Sequence, residues 1–263
     1  MIFRGRLEFG SQRTFEKVLQ HWKSRTENYF KSDILFRPEE LFDAEHHVLD
    51  LPQQVLMSTE KHWLNTTALL REIAQYALAG NVEAWKVLNG KVLDEHLIEP
   101  NTEKTAVSEY LRGRQLLEQG IMTEASQALT NAIEKFGKNA LAYERRGYMN
   151  YKLKNFNDAH YDFSKSIDLN PRSPEPHYGR GRVRMLRNEW ESALSDMDMS
   201  IKHSLAVQSL HWISRFRRGE CLYHLKRFDL AAVEFRFFLQ RKMEESDPLF
   251  QYRAKAEFMM KSV

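Results

Sequence analysis

Cysteine is all but missing from this sequence: Cys221 is the single one in 263 residues. A disulfide within the chain is excluded, as is a zinc site built on several thiolates, and the count fits a reducing compartment. Glycine and proline are scarce too, at 11 and 7, which leans the chain toward helix. No apolar run approaches the roughly 18 residues of a membrane-spanning helix. The opening MIFRGRLEFG has arginines but no unbroken apolar stretch of the kind a signal peptide needs. A cytoplasmic protein with no membrane partner is expected. Charge of one sign is not in large excess either, since the formal net charge is +3. Residues 1–105 carry 13 basic and 16 acidic side chains, and the remainder 26 and 20. That asymmetry suggests two segments with different surfaces, while a nucleic-acid-binding domain is usually far more basic. Also absent are a phosphate-cradling glycine loop, the H-E-x-x-H pair and the G-x-S-x-G elbow. No catalytic residue, metal ligand or cofactor is expected. His46 and His47, read as neighbours on a strand, point to opposite faces and make a poor metal pair.

What is present is a repeat. Arg-Gly recurs at Arg112-Gly113, Arg146-Gly147, Arg180-Gly181 and Arg218-Gly219, with glycine spacings of 34, 34 and 38 residues. Twelve residues past each glycine stands Ala125, Ala159, Ala193 or Ala231, and four further on Leu129, Phe163, Met197 or Phe235. Small residues on two antiparallel helices let their backbones approach, and the larger residue fills the space beside the contact. One such hairpin cannot bury its apolar face alone, so neighbours must stack.

This pattern resembles the tetratricopeptide repeat, whose period is 34 residues. The second unit matches best, with Tyr143, Gly147, Ala159, Phe163 and a closing Pro171; Gly137, Leu205 and Met243 stand where the other units would close on proline. The resemblance covers about 106–245 and implies an α-solenoid of four hairpins, 106–139, 140–173, 174–205 and 206–245. The longer last spacing predicts one extra helical turn within 206–225. Asn170-Pro171-Arg172-Ser173-Pro174 stops one helix and starts the next, with Ser173 as N-cap. Residues 248–261 read as a helix capping the stack.

Residues 1–100 read as a small α+β domain joined through 101–105. Phe3, Leu7 and Phe9 alternate with Arg4, Arg6 and Glu8, as in a half-buried strand. Helical spacing marks 12–29 and 60–79. Strands are expected near 40–49, 53–58 and 92–98, with a short helix at 82–89. Ferredoxin-like topology suits that order, and a divergent helical pair over 59–105 is the alternative.

The resemblance also implies where a ligand lies. The family's groove positions fall here on Tyr110, Arg114, Glu144, Arg145, Tyr148, Tyr178, Arg182, Phe216, Arg217 and Glu220. Arginine forks and tyrosine rings suit an extended acidic peptide or a terminal carboxylate. Some members clamp the acidic tail of heat-shock chaperones with Lys, Asn and Arg; the matching positions are Tyr110, Arg114, Arg145, Glu175 and Gly179, which lack the asparagines. The expected function is a non-catalytic adaptor or scaffold binding another protein or peptide, with homo-oligomerisation open. The alternatives are an RNA-binding factor using Arg180, Arg182, Arg184 and Arg187, or an enzyme whose site lies within 1–105.

Overall fold

Strand β1 (Ile2–Glu8) buries Phe3 and Leu7 in an apolar core and carries Arg4, Arg6 and Glu8 on its other side. The computed structural model that shows this describes residues 1–31 and 33–262. It divides into two compact units, Met1–Arg146 and Gly147–Val263.

In the first unit, Ser11 caps α1 (Gln12–Arg25) by accepting from the backbone N–H of Thr14, and a π-helical turn Thr26–Phe30 follows. Then come α2 (Pro38–Leu41), β2 (Phe42–Asp43), β3 (Val48–Val55), α3 (Glu60–Ala74), β4 (Ala79–Leu88) and β5 (Lys91–Ile98). The sheet order is β2-β3-β1-β4-β5, and all four pairings are antiparallel. Strands β1 and β2 therefore flank β3, while β3 and β4 flank β1. These two split βαβ units are the expected ferredoxin-like arrangement, and β5 adds a fifth strand outside β4. Trp22 of α1 and Trp63, Leu69 and Leu70 of α3 close over Phe3, Leu7, Leu49 and Val82.

Three local expectations are corrected. Residues 82–89 are strand, because Val82, Ala84 and Trp85 are buried on a pleated ribbon and Asn89-Gly90 turns it back with φ of 50° and 75°, the geometry of a tight hairpin. Residues 40–47 hold only the two-residue β2, since Pro38 starts a helical turn and 44–47 form a turn, and the next strand begins at Val48 rather than at 53. His46 and His47 lie in that turn, where His46 Nδ1 is 2.7 Å from Asp43 Oδ2.

The hairpin α4 (Thr105–Glu118) and α5 (Met122–Lys135) completes this unit with the first part of α6 (Ala140–Lys152). The second unit takes the rest of α6 and continues with α7 (Phe156–Leu169), α8 (Pro174–Leu186), α9 (Trp190–His203), α10 (Ser209–His224), α11 (Phe228–Gln240), a 3-10 turn Phe250–Tyr252 and α12 (Arg253–Lys261). Helix α10 has 16 residues where α8 has 13, which absorbs most of the longer spacing. Ser173 is the N-cap residue of α8, with Pro174 in its first turn. Its hydroxyl donates to the Glu175 carboxylate at 3.1 Å. Among the described residues no helix is long and apolar enough to cross a membrane.

The repeat positions meet as pairs 16 residues apart. A Cβ on Gly219 would come within 2.7 Å of the Phe235 ring, so the close approach of helix to helix needs glycine. Burying Phe235 fully contributes roughly 2–3 kcal/mol. Each first helix ends on one left-handed residue: Gly120 (φ 77°), Lys154 (64°), Asn188 (59°) and Lys226 (59°). The following N–H reaches back five residues, as Ile121 to Leu116 O, Asn155 to Asn150 O, Glu189 to Arg184 O and Arg227 to Leu222 O, at 2.8–2.9 Å. This is the six-to-one bond of a Schellman stop.

The arginine before the glycine works as a clamp in the third and fourth hairpins, whereas Arg112 pairs with Glu109 on its own helix at 2.6 Å. Arg180 Nη2 donates to Asp196 in its own hairpin at 2.8 Å and Nη1 to Ser164 of α7 at 3.3 Å. Arg218 repeats this with Glu234 at 2.7 Å and Asp198 of α9 at 2.6 Å. Arg146 Nη1 donates to Thr130 of α5 at 3.1 Å. One guanidinium thus ties a hairpin together and bonds it to the previous one.

Candidate functional site

The ten groove positions separate by environment. In the first unit Tyr110 is core, packed with Leu129, Ala132 and Ala142, and burial pushes its hydroxyl up from the usual tyrosine range. Arg114 is engaged by Glu99, with Glu118 at 3.9 Å. Glu144 is buried, and Arg145 lies 3.9 Å from it.

In the second unit Phe216 is fully buried against Phe235, Phe238 and Tyr252. Tyr110 and Phe216 are therefore corrected from ligand-facing to core positions. In the case of Phe216 the chain's own C-terminal turn supplies the covering ring. Glu220 is buried and accepts from Arg217 at 2.6 Å, with Lys255 Nζ of α12 at 2.5 Å from its other oxygen. Arg217 also stands over the Tyr252 ring at 5.2 Å. The last hairpin's groove positions thus pack beneath α12.

Arg182, Tyr178 and Tyr148 are placed differently. The Arg182 guanidinium lies 4.0 Å from the centre of the Tyr151 ring and 5.4 Å from that of Tyr178. Such stacking on aromatic faces holds a guanidinium while leaving its N–H edge free. Among the described residues no carboxylate lies within 4.0 Å of Arg182. Tyr148, one turn before Tyr151 on α6, is 41 % exposed, with Lys152 Nζ 5.4 Å from its ring centre. Arg217 and Lys255 share the one carboxylate of Glu220, and Arg182 takes no part in that pairing.

The rest of the basic run is internally answered. Arg180 and Arg184 both bind Asp196 at 2.8 Å. Burial pushes the Asp196 carboxyl up, but the His177 ring 3.7 Å away, the hydrogen bonds from Arg180 and the charges of Arg180 and Arg184 outweigh it, so its pKa lies below the usual range. Arg187 Nη2 donates to Asn157 at 2.6 Å, and Arg215 to Glu234 at 2.9 Å. Cys221 is buried, and burial pushes its thiol up to about 12, which makes it a poor nucleophile.

Sequence reasoning missed Tyr151, Tyr252 and Lys255. Tyr148 and Tyr151 are spaced i, i+3 and share a helix face, which was a usable signal. Tyr252 and Lys255 have the same spacing, in a segment read only as a cap.

Residues 110–174 and 178–236 match the family described as tetratricopeptide repeat. Residues 110–236 form a tetratricopeptide repeat region. Solved structures agree at the level of fold. YrrB, described as a TPR protein with an unusual peptide-binding site, is similar over 61 % of this chain and 77 % of its own, at 19 % identity and a TM-score of 0.51. MamA from residue 41 to its end, from Desulfovibrio magneticus RS-1, is similar over 62 % of this chain and 87 % of its own, at 15 % identity and a TM-score of 0.52.

Proposed function

We propose that this protein is a non-catalytic adaptor whose tetratricopeptide repeats bind an acidic segment of a partner protein at Tyr148, Tyr151, Tyr178 and Arg182. The observation that carries the reading is Arg182, held between two tyrosine rings with no carboxylate partner among the described residues. Tyrosine supplies rigid contact area at low entropy cost, and a guanidinium edge takes a carboxylate in two parallel bonds. The peptide-binding site ascribed to YrrB is a precedent for this use of the fold. An RNA reading gains less support, since Asp196, Glu220 and Glu234 already offset most of the arginines that would meet a phosphate backbone.

The test is fluorescence anisotropy with a labelled hexapeptide alternating Glu and Leu, beside its Gln–Leu counterpart. The Glu peptide is expected to bind the full chain more tightly. Arg182→Gln and Tyr151→Ala should each weaken it about tenfold, the cost of losing one anchor residue. Equal binding of both peptides together with no effect of either substitution would discard this site.

A further inference from the structure

The sheet of the first unit ends on an open edge that the repeat chemistry does not use. Strand β5 hydrogen-bonds β4 on one side only, and the opposite edge of the sheet is the two-residue β2. Among the described residues none from 91 to 98 makes a backbone hydrogen bond beyond the β4 ladder. A row of unpaired N–H and C=O groups is a template for another strand, and proteins usually blunt it. Here the one register shift lies between Lys86 and Val87 of β4, near the hairpin turn, and Asp94–Ile98 pair regularly with Val82–Lys86.

The side chains on this edge are also unusual. Leu93 is 56 % exposed and Leu97 55 %. Glu95 stands opposite Trp85 in the ladder and Leu97 opposite Glu83, so both lie on the sheet face that also carries Arg4. Glu95 is exposed and has no cation within 4.0 Å among the described residues. Its neighbour Asp94 lies on the other face, where it accepts from the Trp63 indole at 3.2 Å and has His96 Nε2 at 3.4 Å.

We propose that β5 binds an extended segment of another protein by strand addition, the segment carrying a Lys or Arg opposite Glu95 with apolar residues two places to either side. Main-chain bonds to the open edge supply affinity, and alternate side chains supply selectivity. Charge decides against a second copy of this chain. The antiparallel self-pairings that engage 91–97 or 92–98 put Asp94 on Asp94, or Glu95 on Glu95, and like charges directly opposite destabilise a strand pair. A basic centre answers Glu95, and apolar flanks cover Leu93 and Leu97.

The experiment titrates the full chain with fluorescein-labelled SVTKTVS and SVTETVS, whose central residue and two valines share one face of an extended strand. The lysine peptide is expected to bind at least about fivefold more tightly than the glutamate peptide, and Glu95→Lys to reverse the preference. Backbone amides of 94–98 are expected to exchange more slowly when the lysine peptide is bound. Absence of binding at millimolar peptide, equal binding of the two peptides, indifference to Glu95→Lys, or unchanged exchange in β5 each overturns the proposal. A wild-type dimer in sedimentation that Glu95→Lys disperses also overturns it, in favour of self-association.

Discussion

A glycine at the crossing of two elements appears in both compact units, under opposite constraints. In the sheet, Gly80 has φ of +93°, and a Cβ there would lie 2.0 Å from the backbone oxygen of Arg6. In the repeats, Gly181 is helical, and its Cβ would meet first the terminal methyl of Met197 at 2.4 Å. The sheet is locked backbone to backbone, with nothing soft at the contact. The hairpins are locked through side chains that can rotate, and their specificity rests instead on the arginine clamps. The first unit should therefore fail abruptly when its crossing is altered, and the second should yield by degrees.

Gly80→Ala is the sharpest way to break that comparison. It combines a left-handed backbone with collision against a fixed carbonyl, costing about 4 kcal/mol, whereas Gly181→Ala should cost about 1 kcal/mol because a methionine end can swing away. Guanidinium unfolding, followed by tryptophan fluorescence and by amide exchange in β1 and β4, separates the two. Equal costs would show that the two crossings do not differ in stiffness.

Next in size is the buried carboxylate of the clamp. Asp196 holds Arg180 and Arg184, and its side chain is 3 % exposed. Asp196→Asn leaves two guanidinium groups short of their counter-charge, at about 3 kcal/mol. The sign with pH follows from its lowered pKa. The stability Asp196 contributes is fully present above the ordinary carboxylate value, about pH 4, and is lost as pH falls through the lower folded-state value. Thermal melts of Asp196→Asn should accordingly depend less on pH below about pH 4 than those of the parent. The first hairpin carries Ala128 at the equivalent position and has no such group to titrate.

The two units also differed in how much their sequences disclosed. The repeats were readable because Gly, Ala and a large residue recur at fixed offsets, and four copies of one spacing outweigh any single ambiguous residue. The sheet had no second copy to check against, so Val82–Leu88 passed for helix although Asn89-Gly90 announced a hairpin. Of the groove positions, Tyr178 and Arg182 stand one turn apart on α8, with the Arg182 guanidinium 5.4 Å from the centre of the Tyr178 ring. What lay outside reach were contacts fixed by the chain's far end, where Tyr252 covers Phe216 and Lys255 engages Glu220. The clamp was half visible, as an arginine before each glycine, and its acid partners Asp196 and Glu234 were overlooked because they sit 16 residues away.

The smallest expected effect concerns the helix stops, where the two units can be compared position for position. The first hairpin uses Gly120 at the left-handed residue, and the fourth uses Lys226 at φ 59° with the same Schellman bond behind it. A side chain in that conformation costs about 1 kcal/mol or somewhat more relative to the right-handed form. Replacing it with glycine removes the strain but loosens the unfolded chain by about half as much. Lys226→Gly should therefore stabilise by about 0.5 kcal/mol and raise the melting temperature by about 1–2 °C, while Gly120→Ala should lower it by a similar or larger amount. Differential scanning calorimetry of the two variants reads both signs. If Lys226→Gly instead lowers the melting temperature, the lysine stem must make contacts in the folded state worth more than the strain, and the four stops would not be equivalent.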